Sequence, residues 1–236
     1  MGLGLLLSLL IIVSIIIFSV FYIKKKKNKI VQEYISKNEK TKIKNKPLMI
    51  IGPSGVGKDT LISMLIKKYP KHFIKCVSCT TRKPRKNEKN GINYYFISEQ
   101  EFKELEKNGQ IIGKFQKYDI LYGTSKEILN NTLTNDNIVY FDYNIETAIN
   151  IFNEKSIEFN YIAFLPPSIE ELENRLIKRG TENKDEIKKR MDYAKIEIEQ
   201  INKSKFLNYI IKNDDLDNAF NEFELCIKQL YNDLFI

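Results

Sequence analysis

The segment from Gly52 to Lys58 constrains the fold of this chain more than any other. It reads GPSGVGK, follows the apolar run Leu48-Met49-Ile50-Ile51 and precedes a segment with helical spacing of apolar residues. A G-x-x-x-x-G-K pattern between a strand and a helix is typical of a phosphate-binding loop. In such a loop, backbone N–H groups and the helix N-terminus face phosphate oxygens. A glycine-rich turn that binds nothing is the alternative, and the strand-loop-helix context disfavours it.

The phosphate-loop interpretation assigns a set of ATP-binding residues. Lys58 is expected to reach the β- and γ-phosphates of a nucleotide. The predicted loop and first helical turn comprise Gly52, Pro53, Ser54, Gly55, Val56, Gly57, Lys58, Asp59 and Thr60.

The residue after the lysine departs from the usual pattern. Ser or Thr is expected there, so that its hydroxyl can contact Mg²⁺, but the chain has Asp59 followed by Thr60. A carboxylate is a good Mg²⁺ ligand, yet it adds negative charge near the phosphates. Asp59 therefore either holds Mg²⁺, directly or through water, or weakens metal binding. Asp142, which follows the apolar run Ile138–Phe141, is the second candidate metal ligand, with a simple strand-end role as the alternative.

Apolar runs and helical spacings alternate along the rest of the chain. This alternation predicts an α/β fold with a parallel sheet flanked by helices on both faces. The predicted strands cover residues 48–51, 73–77, 138–141, 161–165 and 209–211. The predicted helices cover residues 60–69, 168–178, 184–202 and 215–234. Residues 78–135 are predicted to be irregular apart from a short helix at 99–108.

The net charge of +8 is concentrated at one end of the chain. Residues 1–45 hold nine Lys and two Glu, whereas residues 46–236 hold 29 basic and 28 acidic residues and are nearly neutral. A protein that binds nucleic acid through its body would carry a basic face there. We therefore expect no nucleic-acid partner.

The N-terminus contains 21 residues without a charge, from Leu3 to Ile23, followed by Lys24 to Lys27. This length suits a membrane-spanning helix, and the lysines predict a cytosolic side for everything that follows. We expect residues 1–23 to be a transmembrane anchor, residues 24–45 a basic linker and residues 46–236 the functional domain. The alternative is a cleaved leader, with 24–45 as a transit segment and an organellar, plastid-type location.

Arginine is rare in this lysine-rich chain. Only five of the 38 basic residues are Arg, and they fall in two groups. Arg suits phosphate because its planar guanidinium binds two oxygens at once. Two groups beside one phosphate loop suggest two phosphoryl groups, one on a donor and one on an acceptor. The groups are Arg82 with Arg85, and Arg175 with Arg179 and Arg190.

Together these motifs resemble those of the guanylate kinase family, among the P-loop nucleoside-monophosphate kinases. The resemblance runs from about residue 46 to the C-terminus and rests on several segments besides the phosphate loop. They are Val77-Ser78-Cys79-Thr80-Thr81-Arg82-Lys83-Pro84-Arg85, Asn90-Gly91-Ile92-Asn93-Tyr94, Leu121-Tyr122-Gly123-Thr124, Pro166-Pro167-Ser168, Lys178-Arg179-Gly180-Thr181-Glu182 and Asn213-Asp214-Asp215-Leu216-Asp217.

The resemblance implies a P-loop kinase core with a small mobile GMP-binding region, about 78–125, and a lid, about 178–192. It implies phosphoryl transfer from ATP, with Mg²⁺, to GMP. Lys58, Arg179 and Arg190 would be catalytic, and Arg175 and Asn213 would lie on the ATP side. The implied GMP-binding residues are Ser78, Arg82, Arg85, Tyr94, Tyr122, Thr124 and Asn144.

Two positions depart from the family at the base. A Glu that accepts hydrogen bonds from guanine is replaced by Gly113, and a second Asp by Asn144. Losing a charged acceptor weakens discrimination by about 1.5–3 kcal/mol. The chain is therefore a guanylate kinase, a nucleoside-monophosphate kinase with altered base preference, or a diverged and weakly active protein-interaction domain. The sequence predicts that Gly113→Glu would sharpen the preference for GMP over AMP.

Cys76 and Cys79 form a C-x-x-C pair near His72. The chain has no second such pair, and its third cysteine, Cys226, lies far along the sequence. Zinc sites usually use four such ligands. We therefore expect buried thiols at Cys76 and Cys79 rather than a metal or redox site.

Overall fold

The computed structural model describes residues 45–234, except for residues 86, 118, 134–136, 156 and 181–182. A parallel sheet of five strands in the order β2-β7-β1-β8-β9 forms its centre. The strands are β1 (Leu48–Ile51), β2 (Phe73–Lys75), β7 (Ile138–Tyr143), β8 (Asn160–Leu165) and β9 (Tyr209–Lys212).

Seven helices accompany the sheets in the described part of the chain. They are α1 (Lys58–Lys68), α2 (Glu99–Lys107), α3 (Lys126–Thr132), α4 (Ile145–Glu154), α5 (Ile169–Arg179), α6 (Lys184–Lys203) and α7 (Leu216–Leu230). The predicted α/β fold with a helix-flanked parallel sheet is confirmed.

The central strand β1 is buried on both faces. Its alternate residues Leu48 and Ile50 pack into one hydrophobic cluster, together with side chains of α1 and α7. The other two, Met49 and Ile51, pack into a second cluster with side chains of α4. A strand covered on both sides reads as a continuous apolar run, which is why the sequence identified β1 without a period-two pattern.

Side-chain caps fix the beginnings of several helices. Ser98 and Glu101 form a capping box at the start of α2, and Asn183 and Glu186 form another at the start of α6. Ser168 accepts a hydrogen bond from the Glu171 N–H at the start of α5. Such caps satisfy backbone N–H groups that have no partner within the helix.

Four strands between residues 79 and 125 form a second sheet. The short helix predicted at 99–108 is confirmed as α2, but the prediction that the rest of this segment is irregular is wrong. The order of this second sheet is β4-β3-β6-β5, and β6 pairs antiparallel with both β3 and β5. The strands are β3 (Cys79–Thr80), β4 (Tyr95–Phe96), β5 (Ile111–Lys117) and β6 (Ile120–Ser125). Two-residue strands are too short to show periodicity. A bulge between Ile112 and Phe115 disrupts the alternation in β5.

Several element boundaries differ from the sequence predictions. Helix α1 begins at Lys58 and not at residue 60, and β2 ends at Lys75 and not at residue 77. Strand β7 continues to Tyr143, so Asp142 belongs to the strand instead of following it. The last predicted helix ends at Leu230 and is followed by a 3₁₀ turn at Asn232–Leu234.

The beginning and end of the described domain are joined. The Tyr231 hydroxyl, just after α7, donates a 2.8 Å hydrogen bond to the Lys46 carbonyl, just before β1. The junction precedes β1, whereas the phosphate loop follows β1. The junction and the phosphate loop therefore lie at opposite ends of the strands of the parallel sheet. No helix within residues 45–234 is both long and apolar enough to cross a membrane. The predicted anchor at 1–23 and nearly all of the 24–45 segment lie outside the described residues.

Candidate active site

The Lys58 side chain folds back onto the beginning of the phosphate loop. Its ammonium donates a 2.5 Å hydrogen bond to the Gly52 carbonyl and lies 3.7 Å from the Asp142 carboxylate. Gly57, the cap residue before α1, has φ of 101°, and a Cβ there would clash with the Asn213 amide. Only glycine meets both requirements. The loop therefore holds its lysine at the carboxyl edge of the parallel sheet, where ligands bind in open α/β folds.

Asn213 and Arg175 support the phosphate loop through hydrogen bonds. The Asn213 side-chain amide donates a 2.7 Å hydrogen bond to the buried Val56 carbonyl. Arg175 donates to the Asn213 carbonyl at 3.0 Å and to Glu171 at 3.0 Å. These contacts support the backbone of the loop, and Arg175 also lines the cavity in front of it. Asn213 and Val56 are buried and do not line that cavity.

The predicted lid meets the loop through one arginine. Arg190, on α6, donates a 2.6 Å hydrogen bond from Nη1 to the Ser54 hydroxyl. Arg179 lies in the last turn of α5, which Gly180 ends with φ of 68°. Both arginines line the cavity above the phosphate loop.

This cavity, here called the outer cavity, has a volume of about 730 Å³. It brings together most of the predicted ATP-side residues and places cationic side chains from three parts of the chain around one space. The predicted residues that line it are Gly52, Pro53, Ser54, Gly55, Gly57, Lys58, Asp59, Thr60, Arg85, Tyr94, Asp142, Asn144, Arg175, Arg179 and Arg190. Phe115, Tyr193 and Glu197 also line it, and the sequence reasoning did not single them out.

The two predicted metal ligands share the outer cavity. Enclosure raises the pKa of Asp142 above its usual value, and Lys58 opposes that rise. Nowhere in the described part of the chain do three or more His, Cys, Asp or Glu side chains group as a ready-made metal site. Asp59, Asp142 and the Thr60 hydroxyl nevertheless offer hard oxygen atoms beside the phosphate loop. That donor set fits Mg²⁺, which is usually held by one or two carboxylates with phosphate oxygens and water.

Arg82 is held by a residue that the sequence analysis missed. Its guanidinium donates two hydrogen bonds of 2.6 Å to Glu88 and lies over the rings of Tyr94 and Phe96. This pair lowers the pKa of Glu88 to about 2. The sequence signal for this pair was a glutamate six residues after an arginine in the same loop.

Arg82 and Tyr122 line a side cavity of about 420 Å³, which also contacts Arg85 and Arg190. The rings of Tyr94 and Tyr122 meet edge to face, with centroids 5.9 Å apart. Of the four residues predicted to grip the acceptor phosphate, Arg85 and Tyr94 line the outer cavity, and Arg82, Arg85 and Tyr122 line the side cavity.

A third space, the inner cavity, has a volume of about 220 Å³ and shares Tyr94, Phe115, Asp142, Tyr143 and Asn144 with the outer cavity. Three hydroxyls meet at its wall. Ser78 Oγ lies 2.9 Å from Thr124 Oγ1 and 3.3 Å from the Tyr143 hydroxyl, which also hydrogen-bonds to Thr124. Burial raises the pKa of Tyr143 to about 12. The structure joins the predicted residues Ser78 and Thr124, and adds Tyr143, which the sequence analysis missed.

Gly113 and Asn144 flank this hydroxyl cluster. Gly113 has φ of 60°, and a Cβ there would lie 2.8 Å from Ile151 Cδ1 and 3.1 Å from the Tyr143 ring. The predicted Gly113→Glu change therefore carries a steric and backbone cost that the sequence did not indicate. The side-chain Oδ1 of Asn144 accepts a 2.8 Å hydrogen bond from the Thr147 N–H and caps α4.

The predicted burial of the Cys76 and Cys79 thiols is confirmed. Cys76, Cys79 and Cys226 are free and buried. Desolvation raises the pKa of the Cys76 thiol to about 12, which makes it a poor nucleophile and a poor metal ligand at neutral pH.

A phosphate loop after the central strand of a parallel sheet, faced by Arg85 from the segment between β3 and β4 and by arginines of α5 and α6, defines a P-loop nucleotide-binding protein of the α/β class. The family model described as guanylate kinase matches residues 44–230. The chain belongs to the guanylate kinase family.

Individual relatives agree with this assignment. The chain is 41% identical over 187 residues to "Guanylate kinase" of Caldanaerobacter subterraneus subsp. tengcongensis, covering 78% of this chain and 88% of that protein. It is 36% identical over 179 residues to "Guanylate kinase 1" of Oryza sativa subsp. japonica, covering 76% of this chain but only 47% of the rice protein. A crystal structure of guanylate kinase from Anaplasma phagocytophilum has the same fold, with a TM-score of 0.59, 24% identity and coverage of 81% of this chain and 87% of that one.

Proposed function

We propose that this chain is an ATP:GMP phosphotransferase that transfers the γ-phosphoryl group of ATP to GMP, giving ADP and GDP. The observation that carries the proposal is the outer cavity, where Lys58 and four of the five arginines of the chain surround one space above the phosphate loop. Relatives named guanylate kinase, at 35–41% identity, support this activity.

Phosphoryl transfer depends on positioning and on neutralising charge. Lys58 and the backbone N–H groups of the loop would hold the phosphates of ATP. Arg82 and Arg85, with Tyr94 and Tyr122, would hold the phosphate of GMP. Arg179 and Arg190 would approach the phosphoryl group between them, and closing the lid would exclude water, so that GMP and not water is phosphorylated.

Mg²⁺ is the metal that this reaction implies. Asp59 and Asp142 would hold it, directly or through water, with the Thr60 hydroxyl nearby. When bound, Mg²⁺ neutralises phosphate charge as it develops during transfer.

The test is a coupled assay of ADP release by the full-length chain, purified in mild detergent, with MgATP and each of GMP, AMP, CMP and UMP. Turnover with GMP is the expected result. Turnover with a different base alone would favour a kinase of altered specificity. No turnover with any acceptor would favour a diverged protein-interaction domain, although the retained Lys58 and lid arginines argue against that alternative.

We also propose that residues 3–23 anchor the chain in a membrane, with the kinase domain in the cytosol. The support is the uncharged stretch followed by four lysines. A C-terminally tagged chain should pellet with membranes, resist carbonate extraction and keep its N-terminal residues. A soluble, shortened chain in an organelle would instead indicate a cleaved leader.

A further inference from the structure

Three hydroxyl groups at the wall of the inner cavity hydrogen-bond to one another. They belong to Ser78, Thr124 and Tyr143 and make three mutual contacts. Each hydroxyl has one proton to donate, so three mutual hydrogen bonds use all three protons. Ser78 and Tyr143 line the cavity. The cluster can therefore accept hydrogen bonds from a ligand but has no proton left to donate to a carbonyl oxygen.

The one carboxylate of the inner cavity lies where this cavity meets the phosphate loop. Asp142 is the one acidic side chain among the described residues that line it, it also lines the outer cavity, and it lies 3.7 Å from the Lys58 ammonium. The side-chain Oδ1 of Asn144 caps α4. A base with N–H donors would meet neutral oxygen atoms here, which bind such donors more weakly than a carboxylate does.

Thr147 also lines the inner cavity, and its buried Oγ1 has no hydrogen-bond partner among the described residues. Buried polar groups are almost always satisfied, so a water molecule or a ligand is expected at this hydroxyl.

We propose that Tyr143 determines the acceptor specificity of this site, because its phenol closes the hydroxyl cluster and Gly113 leaves room for its ring. The inference rests on the proposed function, in which the inner cavity receives the base of the acceptor nucleotide. The site then reads a purine through neutral oxygen atoms, so the 2-amino group of a purine adds at most one neutral hydrogen bond. GMP and IMP, which differ only in that group, are used with efficiencies within about 10-fold of each other.

The decisive variant is Tyr143→Phe. It keeps the ring but removes the phenol, so one proton of the remaining Ser78–Thr124 pair becomes available to the carbonyl oxygen that GMP and IMP share. Because one neutral hydrogen bond changes affinity by about 3- to 10-fold, the KM for both nucleotides should fall by about that factor. The KM for AMP, which has no such oxygen, should not fall, and kcat should change little.

Two further variants test whether the change in KM comes from the hydroxyl cluster. Adding Ser78→Ala to Tyr143→Phe removes a hydroxyl of the pair that lines the cavity, and should return the KM for GMP to the wild-type value or above it. Tyr161→Phe removes a phenol from a buried tyrosine of β8 that lines neither cavity, and should leave all three KM values unchanged. Melting temperatures of all variants establish that they are folded.

The experiment measures kcat and KM of the full-length chain for GMP, IMP and AMP, together with their Kd values by calorimetry. Wild-type kcat/KM values for GMP and IMP within about 10-fold of each other, and the expected response to Tyr143→Phe, uphold the inference. A larger preference for GMP, or an unchanged KM in Tyr143→Phe, overturns it. If no acceptor is phosphorylated the proposed function fails, while the Kd values still decide the inference, and absence of any binding overturns both.

Discussion

Arg190 and Ser54 connect helix α6 to the phosphate loop through a 2.6 Å hydrogen bond between Nη1 and the hydroxyl. The two residues are 136 positions apart in sequence. The guanidinium therefore already lies at the edge of the loop, where under the proposed function a transferring phosphoryl group would pass. An arginine held in this way needs little further ordering when nucleotides bind, which favours catalysis by preorganised charge.

Replacing Arg190 with alanine should lower kcat with GMP by about 100-fold or more, because a positive charge is lost where negative charge develops. Ser54→Ala is the matched control, since it removes the hydrogen bond and keeps the guanidinium. We expect a smaller loss, about 3- to 10-fold, for Ser54→Ala, because this variant loses one hydrogen bond that positions the guanidinium but keeps its charge. Equal losses in steady-state assays of both variants would mean that Arg190 acts by shaping the loop.

Lys58→Ala should reduce kcat/KM for MgATP by about 100-fold or more, because the ammonium that would contact the phosphates disappears. Lys67→Ala, an exposed change in the last turn of the same helix, controls for effects on α1. Its steady-state kinetics should match the wild type. Retention of most activity by Lys58→Ala would contradict the role given to this lysine.

Gly113→Ala should destabilise the fold more than Gly109→Ala. Both glycines have φ close to 60°, but a Cβ at Gly109 would meet nothing within 4 Å, whereas at Gly113 it would meet Ile151 at 2.8 Å. Backbone strain alone should cost about 1 kcal/mol at either position, and crowding should add about 1–3 kcal/mol at Gly113. Urea unfolding of both variants measures the difference in unfolding free energy. Equal losses of stability would show that the side chains around Gly113 move aside at little cost.

The Arg82–Glu88 pair should make stability depend on pH in acid. The pKa of Glu88 is lowered from 4.5 to about 2, so its ionised form is favoured in the folded state. Its contribution is complete above the unfolded-state pKa and is lost as the pH falls from about 4.5 toward 2. Glu88→Gln lacks this titration. Unfolding free energies of the two proteins should therefore converge as the pH is lowered through that range, and parallel curves would argue against the pair.

Local patterns predicted the core of this fold, and long-range contacts account for what was missed. The phosphate loop and β1 lie within eleven consecutive residues, so sequence spacing alone identified them. Tyr143, by contrast, meets Thr124 and Ser78 across 19 and 65 residues, and no local pattern links those positions. The small sheet was missed for a related reason, because strands such as Cys79–Thr80 depend on pairing with distant neighbours rather than on their own sequence.

The junction between Tyr231 and Lys46 also has a practical consequence for handling the protein. Since the beginning and end of the domain meet at the edge of the sheet opposite the phosphate loop, material joined at either end attaches away from the nucleotide cavities. Affinity tags, fluorescent fusions or a surface coupling placed before residue 45 should leave nucleotide entry unobstructed. Immobilising the chain through that end offers a direct way to measure nucleotide exchange on a sensor chip.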